Sequence, residues 1–451
     1  MSWEVRVVPN RYVDSVRLMQ VAQTLRSQDG VGACEVLMGT PANLEALAAL
    51  GASAAAAPTD IVIAVDGPAA ALDAAERELA AGAAPGGDAA PAARPRSLAT
   101  AARELPGANV AIVSVPGDYA VLEAHRALTA GMHVFLFSDH VSVADELALK
   151  RRGAERGLLV MGPECGTAML GGVGLGFANE VRAGTVGIVA AAGTGAQEAS
   201  VLLDRAGVGV SQIVGVGGRD LSADVGGIMF RAGMELLAAD DGTDTLLLVS
   251  KPPSPDAVRA LGDVDVGGKR VVAAFVGWQD GDAPFEVHPT LEAGAFAAAQ
   301  AEPQDEEAEV PRVDGDVLGL FSGGSLAYEA ETILGPGRRI LDLGAEEYTQ
   351  GRPHPMVDPA YRLALLRDEG RRAGAVLLDV VLGHGAHADP AGALAETLAE
   401  LAADRPVIAH VCGTPADPQD AHRQERTLRD AGVTVAPTNA AAARLAAEAT
   451  A

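Results

Sequence analysis

The stretch AAAGTGAQEA (190–199) sets Gly193, Thr194 and Gly195 between the apolar run TVGIV and the helical-looking ASVLLDRAG. Glycines at a strand-to-helix turn leave backbone N–H groups unobstructed, and a helix N-terminus favours negative charge, so these three residues are candidates to hold phosphate. They equally suit a plain turn, because Thr194 as N-cap with Gln197 three positions on reads as a capping box. Composition leaves both readings open. A second candidate is Gly383-His384-Gly385-Ala386-His387-Ala388-Asp389, where two imidazoles at a helix start can donate to phosphate, shuttle protons near neutral pH, or take a metal with Asp389. The HxxHxD string lacks strict metal-site spacing, so the expectation is anion or proton chemistry without a metal, or else an ordinary surface loop. His384, nearer the turn, ranks ahead of His387. Gly217 and Gly218 close the run QIVGVGG, and Arg219 follows as a fork suited to a substrate carboxylate. Ser322-Gly323-Gly324-Ser325 repeats the small-residue turn; at all these glycines tight strand–helix packing competes with a binding role. Cys165, in Gly162-Pro163-Glu164-Cys165-Gly166-Thr167, has no adjacent base and reads first as a packed thiol. Cys165 and Ser325 are still carried as candidate substrate contacts.

These residues need elements to position them. WEVRVV, CEVLMGT and IVIAVDG read as strands, each followed by a helical stretch (12–28, 41–50 and 69–81), which predicts a small α/β, ferredoxin-like unit at 1–80. The Gly-, Ala- and Pro-rich 80–97 reads as a solvated linker. From 109, apolar strands alternate with helices, predicting a doubly wound, Rossmann-like unit at 97–183. An acidic break at 301–316 separates two pieces that resemble each other. GIVAAAGTGAQEAS parallels LGLFSGGSLAYEAE, QIVGVGG parallels RILDLGA, DTLLLVSKPP parallels AVLLDVVLGHG, and KRVVAAFVG parallels DRPVIAHVCG, all at an offset of about 130 residues. This predicts two copies of a flavodoxin-like α/β domain, at 184–300 and 316–451.

Bulk properties narrow the function. The 451 residues suit three or four domains of about 100–200 residues each. A net charge of −26 opposes nucleic acid and anionic lipid surfaces as partners, so an anionic substrate needs a local positive field. The start MSWEVRVVPNRYVDS lacks a basic segment with a long apolar core, and no apolar run reaches membrane-spanning length, so a cytoplasmic protein is expected. Cys34, Cys165 and Cys412 are far apart, with neither a disulfide framework nor zinc spacing.

The run LLVMGPECGTAML, followed by RAGTVGIVAAAGTGAQEA and IVGVGGRDLSADVGG, resembles the α subunit of succinyl-CoA synthetase. The C-terminal copy, with ILDLGAEE, VVLGHGAHADP and PVIAHVCGTP, resembles the ligase domain of that enzyme's β subunit. Within this superfamily, PECGTAMLGGVGLGFANEV and VGVGGRDLSADVGGIMF are similar to the FdrA family of acyl-CoA-synthetase-like proteins, over roughly residues 100–450. That resemblance implies a subunit of oxamate carbamoyltransferase, interconverting oxalurate plus phosphate with oxamate plus carbamoyl phosphate, in an oligomer with other subunits. The alternatives are acyl-CoA-ligase-like acyl transfer using CoA, or a non-catalytic scaffold. It also implies that the helix starts at 193–195 and 383–387 converge on one phosphate, and that Glu164, where the synthetase has Asn, orients the amide of a carbamoyl group. The synthetase's phosphohistidine loop is replaced by QDGDAPFEVHP around His288, and its ATP-grasp domain has no counterpart. The nearest approach to a Walker A loop, GGKR (267–270), carries Arg270 where Ser or Thr belongs.

Overall fold

In a computed structural model, residues 3–11, 13, 15–26, 28, 30–81, 95, 97–279, 282–303, 310–349 and 352–450 are described. Most of the predicted linker at 80–97 and residues 304–309 of the acidic break lie outside them. The chain divides into two compact units, residues 1–96 with 346–358, and residues 97–345 with 359–451.

In the first unit, strands Trp3–Val8, Ile61–Asp66 and Ala33–Met38 form an antiparallel sheet with the strand from 61 in the middle. The period-2 pattern of that central strand explains its place: Ile61, Ile63 and Val65 join Leu18, Leu25 and Leu72 on one face, while Val62 and Ala64 meet Leu47 on the other. Helices Ser15–Arg26, Pro41–Ala49 and Ala70–Ala81 alternate with the strands. This is the small, ferredoxin-like α/β unit read from the sequence.

The second unit holds three sheets. Strands Val110–Val113, His133–Leu136 and Val160–Met161 form a short parallel sheet, with helices Gly117–Thr129 and Val143–Glu155 as its crossovers. The hairpin Thr167–Leu170 and Val173–Gly176, which sequence periodicity groups with this sheet, instead pairs through Met169 with Ile213 of the next one. A one-residue antiparallel bridge is invisible to periodicity. The main part of that next sheet runs Glu286–His288, Arg270–Phe275, Thr245–Ser250, Ala183–Ala190, Val210–Gly215, all parallel. The third sheet runs Arg339–Asp342, Val317–Phe321, Ala375–Val381, Val407–Cys412, Thr434–Ala436. Numbered by chain order, both follow the flavodoxin order 2-1-3-4-5, so the internal repeat is a repeat of winding as well as of sequence. Their central strands TLLLVS and AVLLDVV are buried at every position, as a parallel sheet covered on both faces requires.

The first helices of the two copies, Gly193–Arg205 and Gly324–Leu334, meet at their starts: a Cβ on Gly323 would lie 2.9 Å from the Thr194 side chain, and one on Gly195 would lie 3.4 Å from Ser325 Cβ. One turn further on, the equivalent residues Glu198 and Glu329 cross over. Asn439 N donates to Glu198 Oε1 at 3.4 Å and Leu291 N to Glu329 Oε1 at 2.6 Å, so each carboxylate takes the first amide of the other copy's last helix. Among the described residues, no helix is long and apolar enough to cross a membrane.

Candidate functional site

The strand Ala183–Ala190 delivers the chain to Ala191 and Ala192, and the helix starts at Gly193. Ala192 is the N-cap, with extended backbone and no side-chain cap, so the expected Thr194–Gln197 capping box does not form. Thr194 lies inside the first turn, and its hydroxyl is used elsewhere: Ser325 N donates to Thr194 Oγ1 at 3.3 Å. Gln197 donates to Asn179 Oδ1 at 2.9 Å and to the Leu382 carbonyl at 3.4 Å. Among the described residues, no acceptor takes the amides of Ala192, Gly193, Thr194 or Gly195. Four free N–H groups at the positive end of a helix form a cradle for an anion. The two glycines differ there. A Cβ on Gly193 would sit 3.7 Å from Thr167 Oγ1, in ordinary contact, whereas one on Gly195 would press on Ala192 Cβ and Val249 Cγ1 at 3.1 Å.

The second copy holds a carboxylate at the residues equivalent to Ala191 and Ala192. Ser322 N and Gly323 N both donate to Asp379 at 2.8 Å, as does Ser322 Oγ. Arg362 Nη2 reaches the same carboxylate at 2.6 Å, and all of this is buried. Strand register identifies the counterpart of Asp379. Val189 pairs with Leu248 as Leu320 pairs with Leu378, so the next residue along, Val249, holds the place of Asp379. An apolar side chain therefore stands in the first copy where the second supplies its own anion.

The segment 162–167 borders the open cradle: Gly166 Cα is 4.0 Å from where a Gly193 Cβ would be. Glu164 is exposed, with left-handed backbone at φ 57 and its amide donated to the Ser138 carbonyl. Cys165 is 2 % exposed and burial pushes its thiol up to about 12, so it is a packed thiol there. Gly217, at φ 86, is dictated by packing, since a Cβ would lie 2.5 Å from the Pro163 carbonyl; Gly218 is exposed. Arg219 is engaged: its Nε donates to Glu146 Oε2 at 2.8 Å and its Nη2 to the Val141 carbonyl at 2.9 Å. Glu146 and Asp220 also hold Lys150 at 2.7 and 2.8 Å, all three side chains being fully buried. The carboxylate fork read from the sequence is thus tied, part-exposed, to a buried Glu146–Lys150–Asp220 cluster.

The loop 383–389 is pinned rather than open. Gly383 N donates to Gln419 Oε1, His384 N to the Ala178 carbonyl, and Asp389 N to His387 Nδ1. His384 Nε2 lies 2.6 Å from Glu180 Oε1, both side chains being about half exposed. A Cβ on Gly385, at φ 85, would press on the Phe177 ring at 2.9 Å, which accounts for that glycine by packing. The helix start at 193–195 meets 323–325 through Ser325 N and Thr194 Oγ1, and the loop reaches the same helix through the Gln197 contact to the Leu382 carbonyl. His288 pairs with Glu286 at 2.9 Å on an edge strand. Among the described residues, no group of three or more His, Cys, Asp or Glu is placed to hold a metal ion.

Sequence reasoning missed the Asp379–Arg362 plug and the buried cluster around Glu198. The one signal was a lone Asp in the apolar run VLLDVVL. Burial opposes the Glu198 charge, yet His410 Nε2 at 2.8 Å and Arg205 outweigh it and hold the carboxyl below its ordinary value. Burial raises Glu329 to about 7, with no cation among the described residues to offset it.

Comparison with known proteins agrees with this architecture. A CoA-ligase family model matches residues 320–449, and the model for the AllF heavy metal-associated domain matches residues 1–94. The protein YahF of Escherichia coli K12 is 34% identical over 502 residues, covering 97% of each chain. The alpha subunit of the ADP-forming succinate–CoA ligase of Methanothermobacter thermautotrophicus is 28% identical over 172 residues, covering 38% of this chain and 57% of that one. Among solved structures, the dinucleotide-forming acetyl-coenzyme A synthetase 1 of Ca. Korarchaeum cryptofilum aligns with 75% of this chain and 81% of its own, at 15% identity and a TM-score of 0.31.

Proposed function

We propose, from the premise that this chain belongs to the YahF family and with it to the acyl-CoA synthetase superfamily, that it carries the phosphate end of an acyl transfer of the CoA-ligase type. The observation that carries this reading is the set of amides at 192–195 that no described acceptor takes, with Val249 where the second copy has Asp379. In such a transfer a phosphate oxygen attacks the thioester carbonyl of an acyl-CoA, the C–S bond breaks and the CoA thiolate leaves to take up a proton, giving an acyl phosphate; in reverse the CoA thiolate attacks the acyl phosphate and phosphate leaves. The amides and helix dipole hold the phosphate charge, and the same fixed donors meet charge that develops as the bond forms. Glu164, exposed on the segment that reaches the cradle through Gly166, is the side chain proposed to orient the acyl group, with the exposed Gly218 proposed as a further substrate contact. CoA is the acceptor used by relatives of succinate–CoA ligase type. The Rossmann-like unit does not fit it: the helix after its first strand starts at Gly117 with no side-chain cap and places Asp118 in its first turn, which repels a pyrophosphate. What this chain supplies is the phosphate site; CoA would have to be held with other subunits.

A second reading, phosphorolysis of oxalurate to oxamate and carbamoyl phosphate, is favoured by the AllF-type match at 1–94 and by the sequence's resemblance to the FdrA family. One assay separates the two. The full chain, co-expressed with its genomic neighbours, is tested for phosphate-dependent consumption of succinyl-CoA and of oxalurate. CoA-linked turnover supports the first reading, and oxalurate turnover without CoA the second. Turnover of either that is undiminished when this chain is omitted would leave it a scaffold.

A further inference from the structure

One face of the helix Ile228–Ala238 lines a groove of about 650 Å³, a size usual for small-molecule sites. Ile228, Arg231, Ala232, Glu235 and Leu236 reach it at helical spacing, so a single stripe carries apolar and charged groups together. The facing wall is Leu158 and Leu159, ahead of the strand Val160–Met161, with His133 at the head of the neighbouring strand. Asp263, Val264 and Asp265, after the helix Pro255–Leu261, close a third side. None of these residues belongs to the phosphate site proposed above.

The charges of this groove are unmatched. Arg231 is half-buried, yet among the described residues no carboxylate pairs with it, not even Glu235 one turn along the same helix. Glu235 and Asp263 are exposed and, among the described residues, equally without a cation. An Arg and a Glu four positions apart commonly close on each other, so their separation leaves both available to a third body. His133 adds a donor. Its Nδ1 accepts from Leu159 N at 2.9 Å, which puts the ring proton on Nε2, and burial lowers its pKa and so keeps the ring neutral. The half-buried part of the groove thus offers a guanidinium fork and an imidazole N–H, while its exposed rim offers the carboxylates of Glu235, Asp263 and Asp265. Ile228, Leu236, Leu158 and Val264 supply half-buried hydrocarbon in the same space.

A guanidinium fork matches a carboxylate, and rim carboxylates match an ammonium. Three carboxylates also repel a nucleotide or any other polyanion. A ligand with a single charge would leave one set of these groups without a partner. We infer that the groove binds a free α-amino acid with an apolar side chain, its carboxylate on Arg231 and His133 and its ammonium on Glu235 and Asp263. The test is equilibrium binding to the full chain, by calorimetry or saturation-transfer NMR, of L-phenylalanine, 3-phenylpropanoate and phenethylamine, which share one ring and differ in charge. Each charged contact predicts about a tenfold difference, so phenylalanine should bind the wild type about tenfold more tightly than either analogue. Arg231→Gln should bring phenylalanine down to the level of phenethylamine, and Glu235→Gln to that of phenylpropanoate. Neither side chain is in an ion pair, so both variants should melt with the wild type. No binding of phenylalanine, binding no tighter than that of an analogue, or full discrimination kept in either variant would overturn the inference.

Discussion

Asp379 and Arg362 are both buried, and removing either leaves the other's charge uncompensated together with the amides of Ser322 and Gly323. Asp379→Ala should therefore cost about 3–5 kcal/mol, read as a lower denaturant midpoint, whereas an exposed pair such as Arg371–Glu400 should cost under about 1 kcal/mol. Cys165 gives a second test at this scale. Its thiol is 2 % exposed and raised to about 12, so native protein near pH 8 should leave it unmodified by iodoacetamide, with labelling only after unfolding. Rapid native labelling would contradict the packed-thiol reading. The individual roles were the least legible part of the sequence. Arg219 and His384 had the right chemistry for substrates, but their partners Glu146 and Glu180 lie 73 and 204 positions away, where spacing carries no information.

Between the helices, Gly193 and Gly195 look alike in sequence and separate in the structure. Gly195→Ala must push Ala192 or Val249 and should destabilise by about 1–3 kcal/mol, while Gly193→Ala should leave the melting temperature within a degree or two. The crossed carboxylates make the pairing of the two copies depend on pH. Glu329 has a folded value raised to about 7 against an ordinary 4.5, so what it contributes is present at acid pH and is lost as pH rises through about 7. Glu198 runs the other way: held below its ordinary value, it contributes at neutral pH and is lost on acidification. Replacing Glu329 by Gln should thus gain relative to wild type between about pH 5 and pH 8 in thermal melts. A constant difference across that range would contradict it. Element order was readable because strands such as TLLLVS and AVLLDVV are apolar throughout and the copies repeat one another. The meeting of the copies was not, because small residues at 193–195 and 323–325 suit a turn, a ligand or a close helix contact equally.

At the scale of the whole molecule, duplication yields two helix starts on the same frame, one beside Asp379 and the other beside Val249. The acidic surface bears on the open one: net charge −26 repels a phosphate at long range, so its association should speed up as added salt screens that repulsion. A slowing with salt would mean that the local field of the cradle dominates even at distance. The central claim is that the amides at 192–195 hold phosphate, and it is tested by placing a carboxylate beside them at the position equivalent to Asp379. Inorganic phosphate binding is measured for the full chain with Val249→Asp and with Val249→Thr, which keeps the shape and adds no charge. The account predicts that Val249→Asp loses phosphate binding while Val249→Thr, folded to the same extent, keeps it. Equal binding in both variants would show that the amides at 192–195 are not where phosphate sits.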